Sequence, residues 1–304
     1  MRFLIYQESR QGARKSNQDR IAHSYSRDSL IMVVADGMGG HLHGEIAAHI
    51  AVQFVVEAFQ RQAQPRLEDP HRFLFDSIIN AHLSILEYAE VRSLLETPRT
   101  TCVACIVQDG CAYWAHVGDS RLYLLREGKV EAVTKDHSRV QMLIDMGRVR
   151  EDAAAMHPDR NKIFNCLGQI NLPRVDVSRR TPLRHGDTMI MATDGFWGPL
   201  APRDLIGTFA EHDITRGVPL LMDVAEERAG NEGDNLSVVA MTWIDEASTA
   251  PAAGESISTV TMAEGAHTTV SAGGPADPAQ GHLSDDEIER AIEEIRLAIK
   301  KATG

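Results

Sequence analysis

The chain has 304 residues, 43% hydrophobic and 24% charged, with a formal net charge of −12. That balance is ordinary for a globular protein large enough to bury a sizeable core, and the acidic excess argues against a nucleic-acid partner, which needs a basic face to neutralise phosphates. No apolar run approaches the roughly 18 residues of a membrane helix, and the opening MRFLIYQESRQG lacks the apolar stretch and cleavage site of a signal peptide, so a cytoplasmic address without a membrane span is expected.

In chain order, the first distinctive stretch is IMVVADGMGGHLHGE, residues 31 to 45, where a buried-strand pattern breaks at Asp36 and Gly37 into an acid, glycines and two histidines. A carboxylate followed by glycine at a strand tip is either an ordinary turn or a ligand with a backbone free to bend around what it binds. Two amphipathic helical patterns follow, Glu45 to Phe59 and His71 to Glu90, each with one face to lay on a sheet. Residues 101 to 107, 111 to 117, 120 to 126 and 129 to 133 then read as strands. Their short connections, QDG, GDS and REGK, predict antiparallel neighbours throughout. Hairpins with separate helices indicate an α+β fold, with sheet packed on sheet and helices outside.

Cys102 and Cys105 form a C-x-x-C pair, half of a zinc set, with Cys111 close behind in the same apolar hairpin pattern and Cys166 far downstream. No second closely spaced Cys or His pair completes a tetrahedral site, so the thiols are expected as small buried hydrophobes of a reducing compartment.

Residues 1 to 244 carry the strand and helix patterns. The stretch 245 to 283 is rich in Ala, Ser, Thr, Gly and Pro and is expected as a disordered linker. Residues 284 to 304 read as an amphipathic helix: Ser284 and Glu287 make a capping box, and Ile288, Ile292, Ile295 and Ile299 fall on one face. That face would fold back on the first domain or dock on another protein.

The acid at the end of the first strand is repeated. Asp194 and Gly195 follow an apolar run in DTMIMATDGFW, Asp119 ends AYWAHVGDSR, Asp234 precedes a strand pattern in GNEGDNLSVVAMTW, and Asp19 sits in NQD. Five acids at strand edges are costly to cluster unless a cation lies among them, and oxygen-only ligation suits Mg²⁺ or Mn²⁺. Periodicity alone does not show that they converge.

Seven ordered blocks, RKSNQD (14 to 19), VVADGMGGHLHGEIAA (33 to 48), TT (100 and 101), HVGDSRLY (116 to 123), TKDHS (134 to 138), MATDGFW (191 to 197) and GDNLSVV (233 to 239), resemble the metal-dependent Ser/Thr protein phosphatases of the protein phosphatase 2C (PP2C, PPM) family in their bacterial form. The resemblance implies a sandwich of two antiparallel sheets flanked by helices and a centre for two Mn²⁺ or Mg²⁺ ions, with a third, weaker site. Carried over by position, Asp36 would bridge both ions and the Gly37 carbonyl would bind one. Asp194 and Asp234 would complete the direct ligands, Asp19 would support the site through water, and Asp119 would serve the third ion. Arg14 would bind the substrate phosphate and, with Asp36, carry catalysis. Implied substrates are proteins phosphorylated on Ser or Thr by an opposing kinase; the alternative is a catalytically quiet binding module acting through helix 284–304.

Two departures stand out. Met38 follows the first Asp-Gly where eukaryotic relatives commonly have histidine, leaving His41, His43 or water to protonate the leaving group, and Pro98 stands where relatives often carry Met. The segment 136 to 169 resembles the family's flap, and its Arg139, Arg148, Arg150, Arg160 and Lys162 either read a phosphopeptide or form a solvated surface. A haloacid-dehalogenase-type phosphatase is the other metal-dependent reading, but it needs an Asp-x-Asp motif where this chain has VADG.

Overall fold

A computed structural model describes residues 1–38, 43–244 and 267–271. The helix expected over 284–304, most of the linker 245–283 and His41 lie outside these residues.

The chain begins with β1 (Arg2–Arg10), β2 (Arg20–Tyr25) and β3 (Ser29–Ala35), followed by two long helices, α1 (Gly44–Gln62) and α2 (Pro70–Val91). Asp69 caps α2 by accepting the Arg72 amide at 3.1 Å, and Pro70 fills the first helical position, where no amide partner is needed. Next come β4 (Cys102–Gln108), β5 (Cys111–Val117), β6 (Arg121–Arg126) and β7 (Lys129–Val133). A short helix α3 (Arg139–Asp145) opens the segment that leads to β8 (Asp176–Val177) and β9 (Thr181–Pro182). The chain then forms β10 (Thr188–Ala192), the single-turn helix α4 (Asp194–Trp197), α5 (Pro202–Glu211), α6 (Ile214–Ala229), β11 (Leu236–Ile244) and β12 (His267–Ser271).

Two antiparallel sheets result. One has the order β1-β11-β10-β6-β7; the other runs β12-β2-β3-β4-β5, with β8 and β9 both on the far edge of β5. Strand alternation sorts the side chains into three apolar layers. Along β3, Leu30, Met32 and Val34 face the other sheet, where they meet Met189, Met191, Val239 and Met241. Ile31, Val33 and Ala35 face α1 and α2. On the outer side of the first sheet, Ile190, Val238 and Ala240 pack with Val218, Leu221 and Met222 of α6. The order of layers is helices, sheet, sheet, helices.

Two expectations change. Residues 111 to 117 and 120 to 126 are not neighbours: β4 pairs with β5 and β6 with β7, but β5 and β6 belong to different sheets. Both hairpins turn on a residue pair with positive φ, Asp109-Gly110 and Glu127-Gly128, as tight two-residue turns require. The connection at Gly118, Asp119 and Ser120 instead carries the chain across the sandwich, which sets Asp119 at the end of both sheets. Within the stretch read as linker, residues 267–271 form β12 and pair antiparallel with β2 from His267 opposite Tyr25 to Ser271 opposite Ile21. A Thr-Thr-Val run suits a strand, and β2 offers an open edge.

All four cysteines are free and buried. Cys102 faces the helices and Cys105 the opposing sheet, so the C-x-x-C pair points to two different layers and cannot share one ion. Burial pushes the Cys102 thiol up to about 12. Among the described residues, no helix is long and apolar enough to cross a membrane.

Candidate metal centre and active site

The acids meet where β3, β5, β10 and the loop before β11 end together. Asp36 is fixed through its backbone: its amide donates to Thr101 Oγ1 at 3.0 Å, and its carbonyl accepts from the Thr101 amide at 2.9 Å and from Thr100 Oγ1 at 2.8 Å. With the main chain tied to the start of β4, the carboxylate is left for other work. Gly37 bridges to Thr100 and is pressed between two backbones; a Cβ there would lie 2.5 Å from the Gly44 carbonyl and 2.6 Å from that of Gln18. Only glycine fits.

Asp19 is buried, accepting from Thr193 Oγ1 at 2.8 Å through Oδ2 while its amide donates to Asn17 Oδ1 at 3.0 Å. Asp194 opens α4, one residue after Thr193. Asp234 accepts two hydrogen bonds from Arg14, Nε at 2.8 Å and Nη2 at 2.6 Å. Asn235 ties the Arg14 loop down by donating to the carbonyls of Gln11 at 2.8 Å and Ser16 at 2.9 Å and accepting the Gln18 amide at 2.9 Å.

Asp119 is also buried. Its carbonyl accepts the Trp197 indole N–H at 3.1 Å, yet its Oδ1 has no hydrogen-bond partner.

Electrostatics show how close the five acids are. Desolvation, and then repulsion from Asp19, Asp194, Asp119 and Asp234, holds the Asp36 carboxyl well above its ordinary range. Asp19 is pushed up to about 7, chiefly by burial and against the pull of its Ser237 and Thr193 hydrogen bonds. Asp194 rises to about 6 through burial and the charge of Asp234, with Arg14 opposing. Asp119 is raised by burial and by Asp194 and Asp136, against Arg121. Such a set is unfavourable alone and becomes favourable around a divalent cation. Crowded carboxylates, a partnerless buried oxygen on Asp119 and a glycine-only approach beside Asp36 fit hard divalent ions, which prefer oxygen donors.

The six positions named from the sequence for metal or phosphate, Asp19, Asp36, Gly37, Asp119, Asp194 and Asp234, thus sit around one centre, with Arg14 at its rim. The supporting layer is less visible in sequence. Thr100, Thr101, Thr193, Asn235 and Ser237 fix the acid-bearing loops; all five fall inside the blocks that carry the family resemblance, but nothing in their local pattern assigns them this role. His43 holds the left-handed position before α1 with Nδ1 3.8 Å from Glu45 Oε1. In the flap segment, Arg139 and Lys162 both pair with Asp159, at 3.1 and 2.7 Å, which favours a structural role for these two bases.

Comparison with known proteins finds related serine/threonine phosphatases. A serine/threonine phosphatase (stp) of Listeria monocytogenes is 33% identical over 184 residues, covering 60% of this chain and 73% of the relative. The solved serine/threonine phosphatase of S. agalactiae superposes with a TM-score of 0.72 at 28% identity, over 80% of this chain and all of that one. The catalytic domain of the phosphatase PstP, solved in complex with two manganese ions, gives a TM-score of 0.67 at 26% identity, over 80% of this chain and 99% of that one. The protein phosphatase 2C family profile matches residues 7–216. With its strand-end acids, two-sheet sandwich and flanking helices, the chain belongs to the protein phosphatase 2C family.

Proposed function

We propose that this chain is a metal-dependent protein serine/threonine phosphatase that hydrolyses phosphoserine and phosphothreonine by direct attack of water on phosphorus. The observation that carries the reading is the convergence of Asp19, Asp36, Asp119, Asp194 and Asp234 at one end of the sandwich with Arg14 beside them. Asp36, the Gly37 carbonyl, Asp194 and Asp234 would hold two Mn²⁺ or Mg²⁺ ions. Asp19 would take part through water, and Asp119 would hold a third, weaker ion. When bound, such ions supply positive charge and bring the pKa of a water close to neutrality.

The rest is done by the chain's own residues. The Arg14 guanidinium, which now holds a carboxylate with two parallel N–H donors, has the geometry to hold two phosphoryl oxygens and offset their charge as the P–O bond to the seryl or threonyl oxygen breaks. Asn235 keeps the Arg14 loop in place. Asp19, anchored by Thr193, presents a buried acceptor that orients water. The complete acid set weighs against a quiet binding module. The assay is hydrolysis of p-nitrophenyl phosphate and of phosphopeptides: activity should need Mn²⁺ or Mg²⁺, stop with EDTA and vanish in Asp36→Ala and Asp194→Ala. Turnover persisting in both variants would refute the two-metal assignment, and Mn²⁺ binding without phosphate release would favour the binding module.

Residues 1–244 are read as the phosphatase domain, working in the cytoplasm against a Ser/Thr kinase, and 284–304 as a helix that engages a partner protein. Deletion after Trp243 should leave small-substrate hydrolysis intact while changing partner choice; a truncated chain that fails to fold would place the tail in the core.

A further inference from the structure

His116, His137 and Asp176 bring two imidazole nitrogens and a carboxylate oxygen within 4.8 Å of one another, beside the end of β5 that leads to Asp119. The spacing would suit a transition metal, but the hydrogen bonds around His137 do not. His137 Nδ1 faces two N–H donors, the Gly118 amide at 3.1 Å and Asn165 Nδ2 at 2.7 Å. The Asn165 amide cannot be reversed, because the same Nδ2 donates to the Arg174 carbonyl at 2.7 Å and Oδ1 accepts the Arg174 amide at 3.0 Å. Nδ1 therefore carries the lone pair and Nε2 the proton; Nε2 is buried without a formed hydrogen bond, and Asp176 Oδ2 lies 3.3 Å away as a charged neighbour. That ring has no lone pair left for a cation at Nε2, whereas a metal-bound histidine turns its other N–H toward an acceptor. His116 donates from Nε2 to the Lys135 carbonyl at 2.8 Å and so keeps a lone pair at Nδ1, but without the second ring the three groups make no ligand set. The cluster is a brace, tied by hydrogen bonds to Lys135, Gly118 and Asn165.

The brace acts on one residue. Gly118 gives its amide to His137 Nδ1, and its carbonyl accepts the His137 amide at 2.9 Å. Gly118 adopts φ +106°, and a Cβ there would lie 2.6 Å from the Thr101 side chain. The next residues are held in turn: the Asp119 carbonyl by Trp197, and Ser120 Oγ by Thr101 Oγ1 at 2.7 Å. The Asp119 Oδ1 is left without a hydrogen-bond partner. On its other side the His137 carbonyl accepts the Phe164 amide at 3.0 Å, so the same residue joins the Asp119 turn to the flap segment.

We propose that His137 is a positioning residue for Asp119. Its ring and backbone clamp Gly118 so that the adjoining carboxylate is aimed into the acid cluster; Asn165 keeps the ring in the tautomer that can accept the Gly118 amide, and the charge of Asp176, 3.3 Å from Nε2, favours the proton there. The inference rests on the reading of Asp119 as the ligand of the weaker ion.

The test is calorimetric titration of the metal-free full chain with Mn²⁺, comparing wild type with Asp119→Ala, His137→Ala and His137→Asn, each checked for folding by circular dichroism. Asp119→Ala identifies the Asp119-dependent ion. His137→Ala should weaken that ion about tenfold, the lower end expected for loss of a residue that orients a ligand, and leave the tighter ions unchanged. His137→Asn, whose Oδ1 can replace Nδ1 as acceptor, should stay within about threefold of wild type. Unchanged affinity in His137→Ala, or equal losses in the alanine and asparagine variants, overturns the proposal. If wild type binds no ion that Asp119→Ala removes, the ligand reading of Asp119 fails first and the proposal with it. If His137→Ala does not fold, the partly exposed Asp176→Ala carries the same comparison: weakening of the Asp119-dependent ion supports the brace, and none refutes it.

Discussion

Arg14 and Asp234 share two short hydrogen bonds at the rim of the acid cluster, and the two residues have competing duties: Asp234 is read as a metal ligand and Arg14 as a phosphate holder. Their pairing implies that either role draws on the other. Arg14→Ala should reduce kcat/KM on phosphopeptides at least about 100-fold by removing charge-assisted contacts to the phosphoryl group, while Mn²⁺ affinity holds or tightens because Asp234 no longer has a competing cation. Arg14→Lys should recover little, since an ammonium cannot make the same two parallel bonds. Steady-state kinetics with calorimetry checks both parts, and a loss of Mn²⁺ binding in Arg14→Ala would mean that the arginine organises the site rather than the substrate. Asp36 poses the converse case. Its charge is opposed by four neighbouring acids, so Asp36→Asn should abolish turnover and yet raise the melting temperature of the metal-free protein by relieving repulsion. A lower melting temperature without metal would show that the carboxylate also has a structural role.

At the scale of elements, the passage from β5 to β6 decides the architecture of the site. Gly118, in a conformation that side chains rarely adopt and against Thr101, lets the chain leave one sheet and enter the other within three residues. Gly118→Ala should cost at least about 2 kcal/mol of stability, from backbone strain and from overlap with a buried side chain, and should weaken the Asp119-dependent ion even where the protein still folds. Denaturant unfolding and Mn²⁺ titration measure the two effects, and a variant as stable as wild type would show that the turn relaxes easily. This crossing was also the hardest element to foresee. The strands on either side were legible from their alternating apolar residues, and the long helices from their amphipathic spacing. Nothing in GDS distinguishes a hairpin from a change of sheet, because that choice is made by which distant strands each edge pairs with. The acids were legible one at a time, each at a strand end beside glycine. Their convergence, and the threonines, Asn235 and His137 that hold them, depend on contacts between residues distant in sequence, from 19 residues for His137 with Gly118 to 217 for Asn235 with the loop before β2, which no local pattern encodes.

For the molecule as a whole, the clustered acids couple folding, protons and metal. An ordinary aspartate titrates near 3.8, whereas in the folded, metal-free protein Asp194 titrates at about 6 and Asp19 at about 7. Between these limits the folded state binds protons that the unfolded chain has lost, so these acids stabilise the fold fully below about pH 4 and progressively less as pH rises toward 7. The buried and half-buried histidines work in the opposite sense. His23, His82, His116 and His137 are all pushed below their usual value, chiefly by burial, so they favour the fold more as pH rises through the range up to 6.5. A metal-free melting curve alone therefore mixes two trends. The difference between metal-loaded and metal-free protein separates them, because the histidine contribution is common to both forms while bound Mn²⁺ requires the acids to be ionised. At a free Mn²⁺ concentration of 100 times the dissociation constant, each site adds about 2.7 kcal/mol, or about 5–11 °C for a domain of this size. Competition from protons lowers that gain at pH 5.5, so the melting-temperature difference between Mn²⁺ and EDTA should widen steadily from pH 5.5 to 7.5 at fixed total Mn²⁺. Calorimetry at pH 6 in buffers of different ionisation enthalpy should in parallel detect net proton release on binding. Parallel melting curves with no proton release would mean that the acids are already ionised without metal, so their repulsion would have to be relieved by solvent or by Arg14 instead.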